Sequence, residues 1–110
     1  MRRRYTGPAR KDGNHSEIER VLRTIPGLVI EDCSAIGPRA IPGWPDLMLL
    51  WRGAVYCIEI KTGPGEPLTA GEEQLHARWR SAGVRVHVVW TADQVLRLLG
   101  FTAPAFSPGG

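Results

Sequence analysis

One short span, Pro45 to Lys61, limits what this chain can fold into more than any other. It reads Pro45-Asp46-Leu47-Met48-Leu49-Leu50-Trp51, then Arg52-Gly53, then Ala54-Val55-Tyr56-Cys57-Ile58-Glu59-Ile60-Lys61. Two apolar, β-prone runs joined by a two-residue Arg-Gly turn predict a hairpin. Side chains alternate faces along a strand. Val55, Cys57, Glu59 and Lys61 therefore share one face, and Asp46 shares its face with Met48 and Leu50. A tight hairpin sets the start of its first strand against the end of its second, so Asp46 is expected beside Glu59 and Lys61. Two carboxylates and an ammonium then meet at one end of a mostly apolar sheet. Carboxylates are costly to bury unless paired or bound to a cation. A hard divalent ion with oxygen ligands is a reason to keep them there.

The rest of the chain supplies elements that cover such a sheet. Ile18, Val21, Leu22 and Ile25 form a helical stripe over Ser16 to Arg23, ended by Pro26-Gly27. Ser16 and Glu19 have the spacing of a capping box. If the cap uses Glu19, Glu17 is the freer carboxylate of this helix; the alternative is a first-turn Glu that only favours the helix dipole. Leu28 to Cys33 reads as a strand and 34–44 as a loop containing Arg39. After the hairpin, 62–68 is a turn-rich loop. It lacks a Walker lysine and serine in register, so it is not a nucleotide loop. Thr69 with Glu72 marks a second capping box, opening a helix to about Ser81 that carries Gln74, Leu75, Arg78 and Trp79. Val84 to Trp90 reads as a strand. Thr91 with Gln94 opens a last helix through Leu99. The order is α-β-β-β-α-β-α. A strand–helix–strand crossover after an antiparallel hairpin predicts an α/β fold with a mixed sheet flanked by helices.

At 110 residues the chain is one domain in length. Residues 15–100 are expected to form it. Residues 1–14 are expected to be a flexible basic arm, because they carry Arg2, Arg3, Arg4, Arg10 and Lys11 against Asp12 alone and show no apolar period. Residues 101–110, rich in Pro and Gly, are expected to be a disordered tail. The net charge of +3 suits a polyanionic partner through the arm, with Arg39 as a further phosphate contact. The opening Met-Arg-Arg-Arg is followed by no apolar segment, and no run reaches membrane-spanning length, so the expectation is an intracellular protein that is neither secreted nor membrane-bound. Cys33 and Cys57 are expected to be reduced thiols, since two cysteines make neither a disulfide framework nor a zinc site. His15, His76 and His87 are scattered, and no Gly-x-Ser-x-Gly is present. HNH-type and acyl-transfer chemistry therefore have no support.

Pro45-Asp46 followed by Glu59-Ile60-Lys61 resembles the PD-(D/E)xK nuclease motif. The wider pattern, Gly43-Trp44-Pro45-Asp46-Leu47, Ile58-Glu59-Ile60-Lys61, then Leu68-Thr69 and Gln74, is similar to the VRR-NUC domain, the virus-type replication-repair nucleases. The resemblance spans about residues 15–99. It implies a restriction-endonuclease-like core and a metal-dependent phosphodiesterase acting on DNA. It implies Asp46 and Glu59 as ligands of Mg²⁺ or Mn²⁺, helped by the backbone carbonyl of Ile60. Lys61 would position or activate the attacking water, or stabilise charge. Glu17 matches the acidic residue of the family's first helix, with Glu19 as the alternate, and Glu17 would reach a second ion or a metal-bound water. Gln74 matches the glutamine of the helix after the core, as a support for Lys61 or the phosphate. The aromatic found four residues later in some related nucleases is Arg78 here. Branched, flapped or Holliday-junction DNA as substrate, a homodimer with paired active sites, and a phage or bacterial setting are further implications of the resemblance. The competing readings are a non-catalytic DNA-binding module with a nuclease-like fold and an RNA or nucleotide phosphodiesterase.

Overall fold

The computed structural model describes residues 13–102. The elements are α1 (Gly13–Leu22), β1 (Val29–Asp32), α2 (Gly37–Ala40), β2 (Leu47–Trp51), β3 (Ala54–Ile60), α3 (Ala70–Ser81), β4 (Val86–Val89) and α4 (Ala92–Leu98). The strands form one four-stranded sheet in the order β1-β2-β3-β4. β1, β2 and β3 are antiparallel neighbours, and β4 joins β3 in parallel. This is the mixed sheet expected from the element order. The added element is α2, a single turn inside the expected 34–44 loop, with Pro38 in its first turn, where a missing N–H costs nothing.

The hairpin forms as its sequence demands. Arg52 and Gly53 both take positive φ, 51° and 84°, as a two-residue turn matched to strand twist requires. Leu47 lies opposite Ile58 and Trp51 opposite Ala54. The Arg52 guanidinium lies 4.7 Å from the Trp51 ring centroid, which holds the turn against its own strand.

Alternation splits the apolar residues between two layers. Leu47, Leu49, Trp51, Ile58, Ile60 and Val89 face Ile18 and Leu22 of α1 and Val95 and Leu99 near α4. On the other face Met48, Cys57 and Val86 meet Leu75 and Trp79 of α3, with Trp44. Trp44 stands edge-on to Trp79 at 5.0 Å, so it is a packing residue on the α3 layer. Both α3 and α4 begin with complete capping boxes, Thr69 with Glu72 and Thr91 with Gln94.

α1 does not begin where its sequence suggests. The helix is already formed at Gly13, so Ser16 lies inside it and cannot cap it. Asn14 anchors this end of the helix to the sheet. Its Nδ2 donates to the carbonyl oxygens of Lys61 and Thr62, both at 3.0 Å, tying the start of α1 to the end of β3. Gly13 and Asn14, expected as the end of the arm, thus belong to the helix. Arg2, Arg3, Arg4, Arg10 and Lys11 lie outside the described residues, as does the tail beyond 102. Among the described residues no helix is long and apolar enough to cross a membrane.

Candidate active site

The sheet end where β2 begins and β3 stops collects the acids. Asp46, just before β2, accepts a hydrogen bond from the Ile60 N–H at 2.8 Å through Oδ2. Extending the β2–β3 register from Leu47 and Ile58 sets Pro45 opposite Ile60, and proline has no N–H to give the Ile60 carbonyl. The strand pairing ends at Leu47 and Ile58, and the Ile60 N–H is taken by the Asp46 side chain.

Glu59 and Lys61 follow on the same face and are both 4% exposed. A charged pair so deeply placed needs partners. Lys61 Nζ donates to Glu72 Oε1 at 2.8 Å, and it lies 3.6 Å from Glu66 Oε2 and 3.9 Å from Glu59 Oε2. Glu66 reaches it because its other oxygen accepts the Thr62 N–H at 2.7 Å, folding the 62–66 loop over the ammonium. Glu72 Oε1 also accepts the Thr69 N–H at 2.9 Å. A single carboxylate oxygen thus completes the α3 capping box and holds Lys61.

Two glycines allow α3 to come this close. Gly43 has φ 88°, and a Cβ there would overlap the Gly71 carbonyl oxygen and the Glu72 Cα. Gly71 in turn faces Pro42 and Gly43. The loop before Asp46 therefore lies directly on the first turn of α3, which brings Glu72 into the cluster.

The electrostatics follow from this crowding. Burial raises the Asp46 carboxyl above its ordinary value, although the Ile60 N–H and the charge of His15 work against it. Burial pushes Glu59 furthest, up to about 10, with the charges of Asp46 and Glu72 adding to it and Lys61 opposing. For Lys61, burial favours loss of the proton, but the Glu72 hydrogen bond and the charges of Glu72, Glu59 and Glu66 prevail and hold its pKa above that of an ordinary lysine. Burial works to raise Glu72, yet the hydrogen bonds from Lys61 and Thr69 bring it below its ordinary value. One turn along α3, buried His76 has its pKa lowered, first by burial. Its Nε2 has no hydrogen-bond partner among the described residues.

These residues fit a divalent cation. Asp46, Glu59 and Glu72 together carry three carboxylates against the single ammonium of Lys61, leaving two negative charges in excess when all are ionised. Glu59 Oε1 is buried with no hydrogen-bond partner among the described residues, an acceptor of the kind a hard cation takes. Asp46 and Glu59 are the ligands this arrangement offers, with the Ile60 carbonyl on the side where Pro45 cannot pair with it.

Other residues singled out from the sequence fall elsewhere. Glu17 is exposed on α1 and pairs with Arg20 at 2.6 Å. Its alternate Glu19 is 8% exposed and faces inward, with His15 and Arg23 beside its carboxylate. Gln74 is exposed on α3, and so is Arg78; the acid that reaches Lys61 from this helix is Glu72. Arg39 is exposed on α2. The sequence places Glu72 only in a local cap. The signal that it does more is the glycine pair Gly43 and Gly71, which predicts close approach of two backbones.

No protein-family model matches the chain, and no curated protein matches it. Among solved structures it matches one described as a VRR_NUC domain. The two are 24% identical with a TM-score of 0.60, over 76% of this chain and 87% of that one. The hairpin, the crossover through α3 to a parallel β4 and the helices on both faces make a fold similar to that of the structure described as a VRR_NUC domain.

Proposed function

We propose that the protein is a metal-dependent DNA endonuclease that hydrolyses phosphodiester bonds in branched DNA. The observation that carries this reading is the unsatisfied, buried Glu59 Oε1 beside Asp46 and within reach of Lys61. Asp46, Glu59 and the Ile60 carbonyl hold Mg²⁺ or Mn²⁺ in this reading. Such an ion supplies a nucleophilic water near neutral pH and charge stabilisation at the phosphoryl oxygens.

The chain's own groups do the rest. Lys61 keeps its proton, because Glu72, Glu66 and Glu59 surround the ammonium. It therefore acts as a positive donor that orients the water and offsets charge at the phosphate, rather than as a base. Glu72 is a positioning residue that holds Nζ at one place against the sheet end. Arg39 and the arm residues Arg2, Arg3, Arg4, Arg10 and Lys11 contact phosphates, a sequence-independent attraction that weakens with salt. A domain of this size offers little surface to a branched duplex, so two copies are proposed to act as a homodimer with paired sites, inside the cell.

The test is cleavage of a labelled panel of linear duplex, single strand, flap, fork, four-way junction and RNA. Mg²⁺, Mn²⁺ or chelator is added, and Lys61→Ala is run alongside. Cleavage of branched DNA that needs metal and disappears in the variant is the expected result. Binding without cleavage in either metal overturns it in favour of a DNA-binding module. Preference for RNA moves the assignment to a ribonucleotide substrate. Sedimentation as a strict monomer removes the paired-site version.

A further inference from the structure

The opposite side of the same sheet end carries a second donor set, of which only Glu19 figures in the reading of Asp46 and Glu59, as the alternate to Glu17. His15 and Glu19 stand one turn apart on α1, and Asp32 closes β1. A ligand atom from each lies within 4.8 Å of the others. His15 Nε2 is 3.9 Å from Glu19 Oε2 and 3.8 Å from Asp32 Oδ2. Two donors on one first-row ion at about 2.1 Å are roughly 3 to 4 Å apart, so these separations suit a shared ion. His15 and Glu19 are 5% and 8% exposed.

The surroundings fix this arrangement. Asp32 pairs with Leu47, so its side chain is on the α1 face. Ser34 donates to Asp32 Oδ1 from both its N–H, at 3.0 Å, and its hydroxyl, at 2.7 Å. That leaves Oδ2 turned toward His15, as an outer hydrogen bond aims a ligating carboxylate. His15 and Glu19 have the i, i+4 spacing by which helices present two ligands to one ion. Arg23 Nη2 approaches the same Glu19 oxygen at 3.8 Å from the exposed side. Its charge competes with an ion for that oxygen.

We propose that His15, Glu19 and Asp32 form a binding site for a divalent transition-metal ion, separate from the Asp46–Glu59 pair. One imidazole nitrogen with two carboxylates suits Mn²⁺ or Zn²⁺, whereas Mg²⁺ prefers oxygen and water. The site adjoins Asp46, on which His15 acts electrostatically. Its ion therefore adds positive charge at the sheet end where the phosphate is proposed to sit. Binding here is measurable whether or not the chain cuts DNA.

The experiment uses the full chain, stripped of metal and titrated with Mn²⁺ under excess Mg²⁺, which occupies the all-oxygen site. Electron paramagnetic resonance counts bound Mn²⁺, and electron spin echo modulation detects a ligating nitrogen. The expected result is one retained Mn²⁺ per chain with a nitrogen signal, both lost in His15→Ala and both kept in Asp46→Asn. If buried His15 cannot be replaced without unfolding, Asp32→Asn carries the test, with Mn²⁺ affinity lowered at least about tenfold. Arg23→Gln should tighten binding by removing the competing charge. No Mn²⁺ retained under Mg²⁺, no nitrogen signal, a signal that survives His15→Ala, or unchanged affinity in Asp32→Asn would each overturn the site. The three side chains would then be an ion-paired cluster that joins α1 to β1.

Discussion

On the α3 side of the sheet end, Asp46, Glu59 and Glu72 share space with an ammonium. On the α1 side, Glu19 and Asp32 share it with an imidazole. The first group contains its own permanent cation, yet still has carboxylate charge in excess. The second group has a partner whose charge depends on its proton. Burial acts on both, but it is resolved differently. Lys61 fixes Glu72 through one short hydrogen bond, whereas His15 stands at 3.8 and 3.9 Å from its acids. Short contacts make a rigid positioning device; the longer convergent ones have the spacing of donors around a shared ion.

The largest effects should separate the two sides by activity. Asp46→Asn or Lys61→Ala should lower single-turnover cleavage by about a thousandfold or more. Lys61→Ala also leaves buried carboxylates without their cation, and should destabilise the fold by about 3 kcal/mol, read from urea unfolding. His15→Ala should leave the Asp46–Glu59 ion in place. If cleavage by Lys61→Ala stays within tenfold of the unaltered protein, the ammonium is only a structural counter-charge, and the contrast between the two sides fails.

Gly43→Ala should come next. The positive φ disfavours any side chain, and the added Cβ would meet backbone rather than a movable side chain. A loss of about 2 kcal/mol is expected, together with slower cleavage because Glu72 is pushed away from Lys61. The same substitution at Gly53 has only the φ penalty, since nothing lies within 4 Å of its Cβ position. Equal costs at the two glycines would show that close approach of the loop to α3 matters little.

How each side could be read from sequence has the same physical origin. Asp46, Glu59 and Lys61 lie on one hairpin, and period-2 alternation with a two-residue turn fixes their relative positions before any tertiary contact is known. Their convergence was therefore legible. Glu72 was legible as a cap, but its hold on Lys61 depends on a loop touching a helix. His15, Glu19 and Asp32 come from two elements whose packing no local pattern states. Reading Ser16 as the cap also turned attention to Glu17, because an N-terminal start at Ser16 uses Glu19 up. The tether from Asn14 to the end of β3 holds the first described turn of α1 against the sheet, and a contact across 47 residues leaves no local signal.

Glu59 gives a smaller effect with a diagnostic sign. Its pKa in the fold, about 10, is above that of the unfolded chain, so the folded state binds more protons between those values. Stability in chelator should therefore fall as pH rises from about 5 to 9. Glu59→Gln removes that dependence. It should raise the chelated protein's melting temperature at pH 8 by roughly 4 °C or more while abolishing the rise produced by added Mg²⁺. Glu72 works in the opposite direction, since its lowered pKa adds stability above its unfolded value that is lost in acid. A chelated protein whose stability rises through pH 5 to 9 would mean that Glu59 is not the buried, uncompensated acid described above.

The smallest expected effect tests the register of α1 and uses both of its acids. Glu17 is exposed and pairs with exposed Arg20. Such surface pairs contribute little, so Glu17→Ala should change stability by no more than about 0.5 kcal/mol and leave cleavage and Mn²⁺ retention unchanged. Glu19→Gln keeps the size of the side chain and removes its charge from beside His15 and Arg23. It should weaken Mn²⁺ retention by at least about tenfold and leave the Asp46–Glu59 ion bound. The two residues are two positions apart on one helix and lie on different faces of it. If Glu17→Ala proves the more damaging change, α1 is rotated relative to the sheet from the position described. His15 would then no longer face Asp32, and the second metal site would be lost with it.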